Sequence, residues 1–147
     1  MTVPTVLVVD DESQIRELLV RWISSDGYQV REAGTSQAAL DDMQIIPADI
    51  VMCDVQMPGE NGVWLTGQLR SRFPETAIVL ATSDRTVPSQ VSMQPGVVEY
   101  LAKPFTREQV LAAVRLAAEW HVTAVAERGR TRVSSPLPKE WGGASGD

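Results

Sequence analysis

The chain has 147 residues, 44% of them apolar, and a formal net charge of −6. That suffices for one hydrophobic core and is too little for two, so one globular domain with an appendage is expected. The acidity argues against general affinity for nucleic acid or anionic membranes, no stretch approaches the length of a membrane span, and no charged and apolar leader precedes the first strand.

The first strand is expected at residues 5–9, where Val6-Leu7-Val8-Val9 runs without a polar break into Asp10 and Asp11. Ile15, Leu18, Leu19 and Trp22 then repeat at helical spacing up to a stop near Gly27. A second strand follows at residues 28–32 and a short helix at 36–43, broken before Pro47. Ile50-Val51-Met52-Cys53 is continuous in apolar character, as a central strand covered on both faces should be, and it ends on Asp54. Cys53, the only cysteine, reads as a small buried hydrophobe in a reducing compartment, so a cytoplasmic protein is expected. Residues 63–73 form a third helix and 76–81 a fourth strand. Pro88 and Pro95 then bracket a segment with room for one or two helical turns, a short or irregular fourth helix. Residues 97–101 make a fifth strand, followed by Lys103. From Thr106, with Gln109 three residues on, a strong last helix runs through Leu111, Val114 and Ala118 toward His121 and Val125. After Arg128 the chain turns polar and rich in Pro, Gly and Ser, the composition of a flexible tail or linker. Residues 1–120 carry nine Lys/Arg against sixteen Asp/Glu and residues 121–147 four against three, so the acidity belongs to the domain and not to the tail. Strands alternating with helices predict an α/β fold with a parallel sheet covered on both faces.

Chemistry gathers where strands end, as it does in such sheets. If the first and third strands are neighbours, Asp10, Asp11 and Asp54 converge, and three close carboxylates repel. A divalent cation relieves that, and oxygen-only ligands suit Mg²⁺. Taken alone, Asp10-Asp11-Glu12-Ser13 reads equally well as the acidic first turn of a helix. Lys103 at the same edge favours the functional reading, because its ammonium would neutralise a phosphoryl oxygen as charge builds during transfer. Thr82 ends the fourth strand in the same register, where its hydroxyl either donates to such an oxygen or closes a local turn.

Four motifs in order, Asp10-Asp11, the run from Asp54 through Gln56-Met57-Pro58 to Gly62, Thr82, and Tyr100-Leu101-Ala102-Lys103-Pro104-Phe105, resemble the receiver (CheY-like) domain of two-component response regulators. The resemblance covers residues 4 to 120 and implies a (βα)₅ flavodoxin-like, doubly wound five-stranded sheet. It implies that Asp54 accepts a phosphoryl group from a sensor histidine kinase or phosphotransfer protein. It further implies that Asp10, Asp11, Asp54 and the backbone carbonyl of Gln56 bind Mg²⁺, that Lys103 and Thr82 contact the phosphoryl group, and that Lys103-Pro104 is cis. Thr82 and Tyr100 are the implied switch, Tyr100 rotating inward once Thr82 is drawn to the phosphoryl group. A receiver domain at 1–121 and a helix extension with flexible tail at 122–147 are expected, acting on an output domain or protein partner through the last helix, without direct nucleic-acid or membrane binding. The catalysis expected is self-phosphorylation and self-dephosphorylation only.

Departures from the family pattern are informative. Thr82 to Lys103 spans 21 residues, one short of the common spacing, and the loss falls in the proline-bracketed segment. Asp84 either orients an attacking water or caps a loop. His121 is expected to be a surface or helix-terminal residue remote from the site, Trp64 a packing residue, and Trp120 and Trp141 candidates for partner contact. A Mg²⁺-dependent aspartyl phosphatase of the haloacid-dehalogenase type is the rival, but it needs a second aspartate two residues after the nucleophile, and Gln56 stands there.

Overall fold

The computed structural model describes residues 3–83 and 95–134. The elements follow in the order β1 (Thr5–Val9), α1 (Ser13–Ser25), β2 (Gln29–Ala33), α2 (Ser36–Ile45), β3 (Ile50–Asp54), α3 (Gly62–Arg72), β4 (Ala77–Thr82), β5 (Val97–Ala102) and α4 (Arg107–Ser134). The five strands form one parallel sheet in the order β2-β1-β3-β4-β5. The expected α/β doubly wound architecture is therefore the observed one. The segment between Pro88 and Pro95, Asp84, and Trp141 with the tail from 135 onward lie outside the described residues.

Side chains alternate across each strand, and the sheet separates two cores. On one face Leu7, Val51, Cys53, Ile78 and Leu80 meet Leu40 and Met43 of α2 and Leu65 and Leu69 of α3. On the other, Val6, Val8, Met52 and Val79 meet Leu19 and Ile23 of α1 and Val110, Val114 and Ala117 of α4. β1, β3 and β4 are buried at almost every position, which explains their unbroken apolar runs. Trp64 packs against the first core, its default role, and Trp120 against the second.

Local signals fix the helix starts. Thr106 Oγ1 accepts from the Gln109 N–H at 3.1 Å while Gln109 Oε1 accepts from the Thr106 N–H at 2.8 Å, a reciprocal capping box before α4. Asn61 Oδ1 accepts from the N–H groups of Val63 and Trp64 at 3.0 and 3.1 Å and starts α3 beside the end of β3. Two expectations need correction. α4 does not give way to a linker at Arg128 but continues to Ser134, because a lone glycine costs about 1 kcal/mol and does not stop a helix whose preceding turns are anchored by packing. His121 is consequently not near a helix end; it is an inward-facing residue of α4 with both ring nitrogens engaged.

Candidate functional site

Parallel register brings the ends of β1, β3, β4 and β5 to one edge: Val9 lies opposite Cys53, Asp54 opposite Ala81, and Thr82 opposite Ala102. The residues that follow or end these strands, Asp10, Asp54, Thr82 and Lys103, therefore share that edge. Asp10 is 1% exposed, and Asp54 and Thr82 are each 5% exposed. Lys103 joins them: its Nζ lies 3.2 Å from Asp10 Oδ2, 3.2 Å from Asp54 Oδ2 and 3.6 Å from Glu12 Oε1. The Lys103–Pro104 peptide is cis, as the resemblance implied, and the Lys103 N–H donates to the Thr82 carbonyl at 2.9 Å, tying the lysine to the end of β4.

The remaining carboxylate oxygens are held by backbone. Asp10 Oδ1 accepts from the Glu12 N–H at 2.9 Å and Asp54 Oδ1 from the Gln56 N–H at 3.1 Å. Arg16 of α1 donates to the Asp10 carbonyl at 2.7 Å and pairs with Glu32 of β2, fixing the turn out of β1. Gly62 closes the floor: a Cβ there would meet the Asp54 carbonyl oxygen at 2.7 Å and Val55 Cα at 2.8 Å, so only glycine lets α3 start this close to β3. Over the rim, Ser83 Oγ donates to Gln56 Oε1 at 2.8 Å and joins the loops after β3 and β4.

Burial pushes the Asp54 carboxyl up, opposed by the Gln56 N–H and by Lys103, with Asp10 adding to the rise. For Lys103, burial works to lower its value, but the carboxylates of Asp54 and Asp10 outweigh it and the net direction is up. Burial raises the neighbouring Cys53 thiol far above its ordinary value, so this cysteine is an inert packing group.

Oxygens of Asp10, Glu12 and Asp54 all lie within 4.8 Å of one another. Three carboxylates against one ammonium leave a formal excess of two negative charges, which a divalent cation matches, and the all-oxygen donors are of the kind Mg²⁺ takes. Asp11 is exposed and stands outside this group, whose third member is Glu12. An acid at the start of a helix, as Glu12 is before α1, is common; what distinguishes Glu12 is its place two residues after Asp10, past the turn that Arg16 fixes. Tyr100 is half-buried against the first core with its hydroxyl inside and without a hydrogen-bond partner among the described residues, and burial pushes its phenol up.

Comparison with known proteins gives the family and the fold. A family model described as the response regulator receiver domain matches residues 6–115. The chain is similar to response regulator MprA of Mycolicibacterium vanbaalenii, 38% identical over 111 residues that make up 75% of this chain and 48% of that protein. It is also similar to sensory transduction protein RegX3 of Mycolicibacterium smegmatis, 28% identical over 111 residues, 76% of this chain and 49% of that one. The chain thus spans about half the length of the curated relatives it matches. Among solved structures, a CheY-like receiver domain protein from Methanospirillum hungatei superposes with a TM-score of 0.78 at 20% identity, over 83% of this chain and 98% of that one, a likeness of fold. Chemotaxis protein CheY4 of Vibrio cholerae gives a TM-score of 0.71 at 30% identity, over 78% and 98%. No helix among the described residues is long and apolar enough to cross a membrane.

Proposed function

The chain belongs to the response regulator receiver domain family, and from that premise we propose that Asp54 is its phosphoacceptor, taking a phosphoryl group from a sensor histidine kinase or a phosphotransfer protein. The observation that carries this is the single ammonium of Lys103 shared at 3.2 Å between the buried carboxylates of Asp10 and Asp54. Such an arrangement leaves uncompensated negative charge at a buried edge, which a packing role does not need and a site built to take a divalent cation together with a phosphoryl group does.

In the proposed reaction an Asp54 oxygen attacks phosphorus as the bond to the donor breaks, giving an acyl phosphate. Asp10, Asp11, Asp54 and the Gln56 carbonyl are the proposed donors to Mg²⁺, with Glu12 a further carboxylate within reach. Mg²⁺, when bound, supplies neutralisation of phosphoryl charge in the ground and transition states. Lys103 stays at Asp54 as the group transfers and exchanges a carboxylate contact for a phosphoryl oxygen; Thr82, at the same edge, donates its hydroxyl to another. The position two residues after Asp54, where such a phosphatase carries its second aspartate, holds the neutral amide of Gln56, which favours a signalling module over a phosphatase. Self-phosphorylation from small donors and slow self-dephosphorylation are the proposed activities.

Thr82 and Tyr100 are the proposed switch. The Tyr100 hydroxyl is buried, and the proposed change on phosphorylation is a shift in population between packings of Thr82 and Tyr100. Residues 1–121 form the proposed receiver and 122–147 the connection to an output domain or partner, in the cytoplasm.

Incubation with Mg²⁺ and acetyl phosphate, followed by mass spectrometry, tests the reading. One phosphoryl group on Asp54 is expected, absent in Asp54→Ala. No modification of the wild type, or modification persisting in Asp54→Ala, refutes it, and continuous phosphate release at enzymatic rates would favour the phosphatase.

A further inference from the structure

Phosphotransfer leaves His121 unused. His121 lies at the opposite edge of the sheet, where β3 and β4 begin, and is 19% exposed. Its Nδ1 is 2.7 Å from the carbonyl oxygen of Glu75, in the turn before β4, and its Nε2 is 3.1 Å from Oδ1 of Asp49, immediately before β3. The other Asp49 oxygen accepts from the Thr5 N–H at 3.0 Å, so this carboxylate is held in place by the start of β1. Two turns further along α4, Arg128 Nε pairs with Glu75 Oε2 at 3.3 Å.

The chemistry of these partners is one-sided. A backbone carbonyl and an ionised carboxylate only accept hydrogen bonds, whereas a neutral imidazole carries a single N–H. Neutral His121 therefore satisfies one of its two contacts and sets a ring lone pair against the other acceptor. Imidazolium satisfies both and adds the attraction of Asp49. The charged groups around the ring are Asp49 in contact, the Glu75 carboxylate turned toward Arg128, and the cations Arg72 of α3 and Arg128, which line the same cavity of about 300 Å³ beside Pro47 and Phe73. The two arginines oppose a second proton on the ring; Arg128 is itself paired with Glu75, and the Asp49 carboxylate is the charge in contact with the ring.

We propose that His121 is a proton-dependent latch, fastening α4 to Asp49 and Glu75 when both ring nitrogens are protonated and releasing one of them when a proton is lost. Release loosens the stretch of α4 from His121 to Arg128, the part that leads away from the domain. The latch is independent of phosphorylation at Asp54 and its test does not involve that residue.

Hydrogen–deuterium exchange of the full chain at about pH 5.5 and about pH 8, values that bracket histidine titration, reads the latch after correction for intrinsic rates, with α1 as internal reference. Residues 121–128 are expected to exchange several-fold more slowly, relative to α1, at the lower pH, and His121→Gln is expected to abolish the difference. Equal relative protection at both pH values in the wild type, or a difference that persists in His121→Gln, overturns the proposal. Ring ¹⁵N shifts of the wild type give a second measurement that needs no variant: both nitrogens protonated at about pH 5.5 is expected, and a single neutral tautomer there overturns it.

Discussion

Lys103 carries the electrostatic balance of the Asp54 edge, since Asp10 and Asp54 are almost inaccessible to water and share its ammonium. Lys103→Ala would leave two buried carboxylates facing each other, and a loss of about 3 kcal/mol is expected in urea unfolding without Mg²⁺, part of it recovered when Mg²⁺ is added. Asp54→Asn works the other way. Because burial raises the folded-state carboxyl above its ordinary 3.8, ionised Asp54 costs stability, and that cost is present above the folded-state value and absent below the unfolded one. Thermal unfolding should show Asp54→Asn more stable than wild type at about pH 7, the gain shrinking as the pH falls toward about 4. Gly62→Ala should cost about 1–3 kcal/mol by the same measurement, as the new methyl meets the backbone of Asp54 and Val55. Asp10, Asp54, Thr82 and Lys103 were legible in the sequence because each ends or follows an apolar strand. Glu12 and His121 were not: an acid at a helix start is common, and the partners of His121 lie 46 and 72 positions earlier in the chain, a proximity that no local pattern encodes.

At the scale of elements, strands and helix starts were readable to within one or two residues, because buried parallel strands leave continuous apolar runs and caps leave paired polar residues. Thr106→Ala removes half of the box before α4 and should cost about 1 kcal/mol in denaturant unfolding. The end of α4 was not readable. Composition after Arg128 resembles a linker, yet backbone hydrogen bonding carries the helix on to Ser134. A helix end is set by what anchors the turns before it, and here the anchors are Arg128 on Glu75 and His121 on Asp49, contacts made by tertiary structure. Exposed Val122 and Val125 on this stretch add nothing to that anchoring.

For the whole molecule, the sheet divides the described hydrophobic residues into two cores, one on each face. Leu65→Ala on one side and Ile23→Ala on the other should each cost about 2–5 kcal/mol, and their effects should add within about 0.5 kcal/mol in the double variant, since the two side chains belong to different cores on opposite faces of the sheet. The same sheet separates the Asp54 edge from the His121 edge by the length of β3, five residues or about 17 Å. Two unit charges that far apart interact by about 0.2 kcal/mol through water and about 1 kcal/mol through protein of effective dielectric about 20. Each end of the domain therefore feels the other's charge weakly, and a charge gained at Asp54 registers at the foot of the sheet as a bias of about that size.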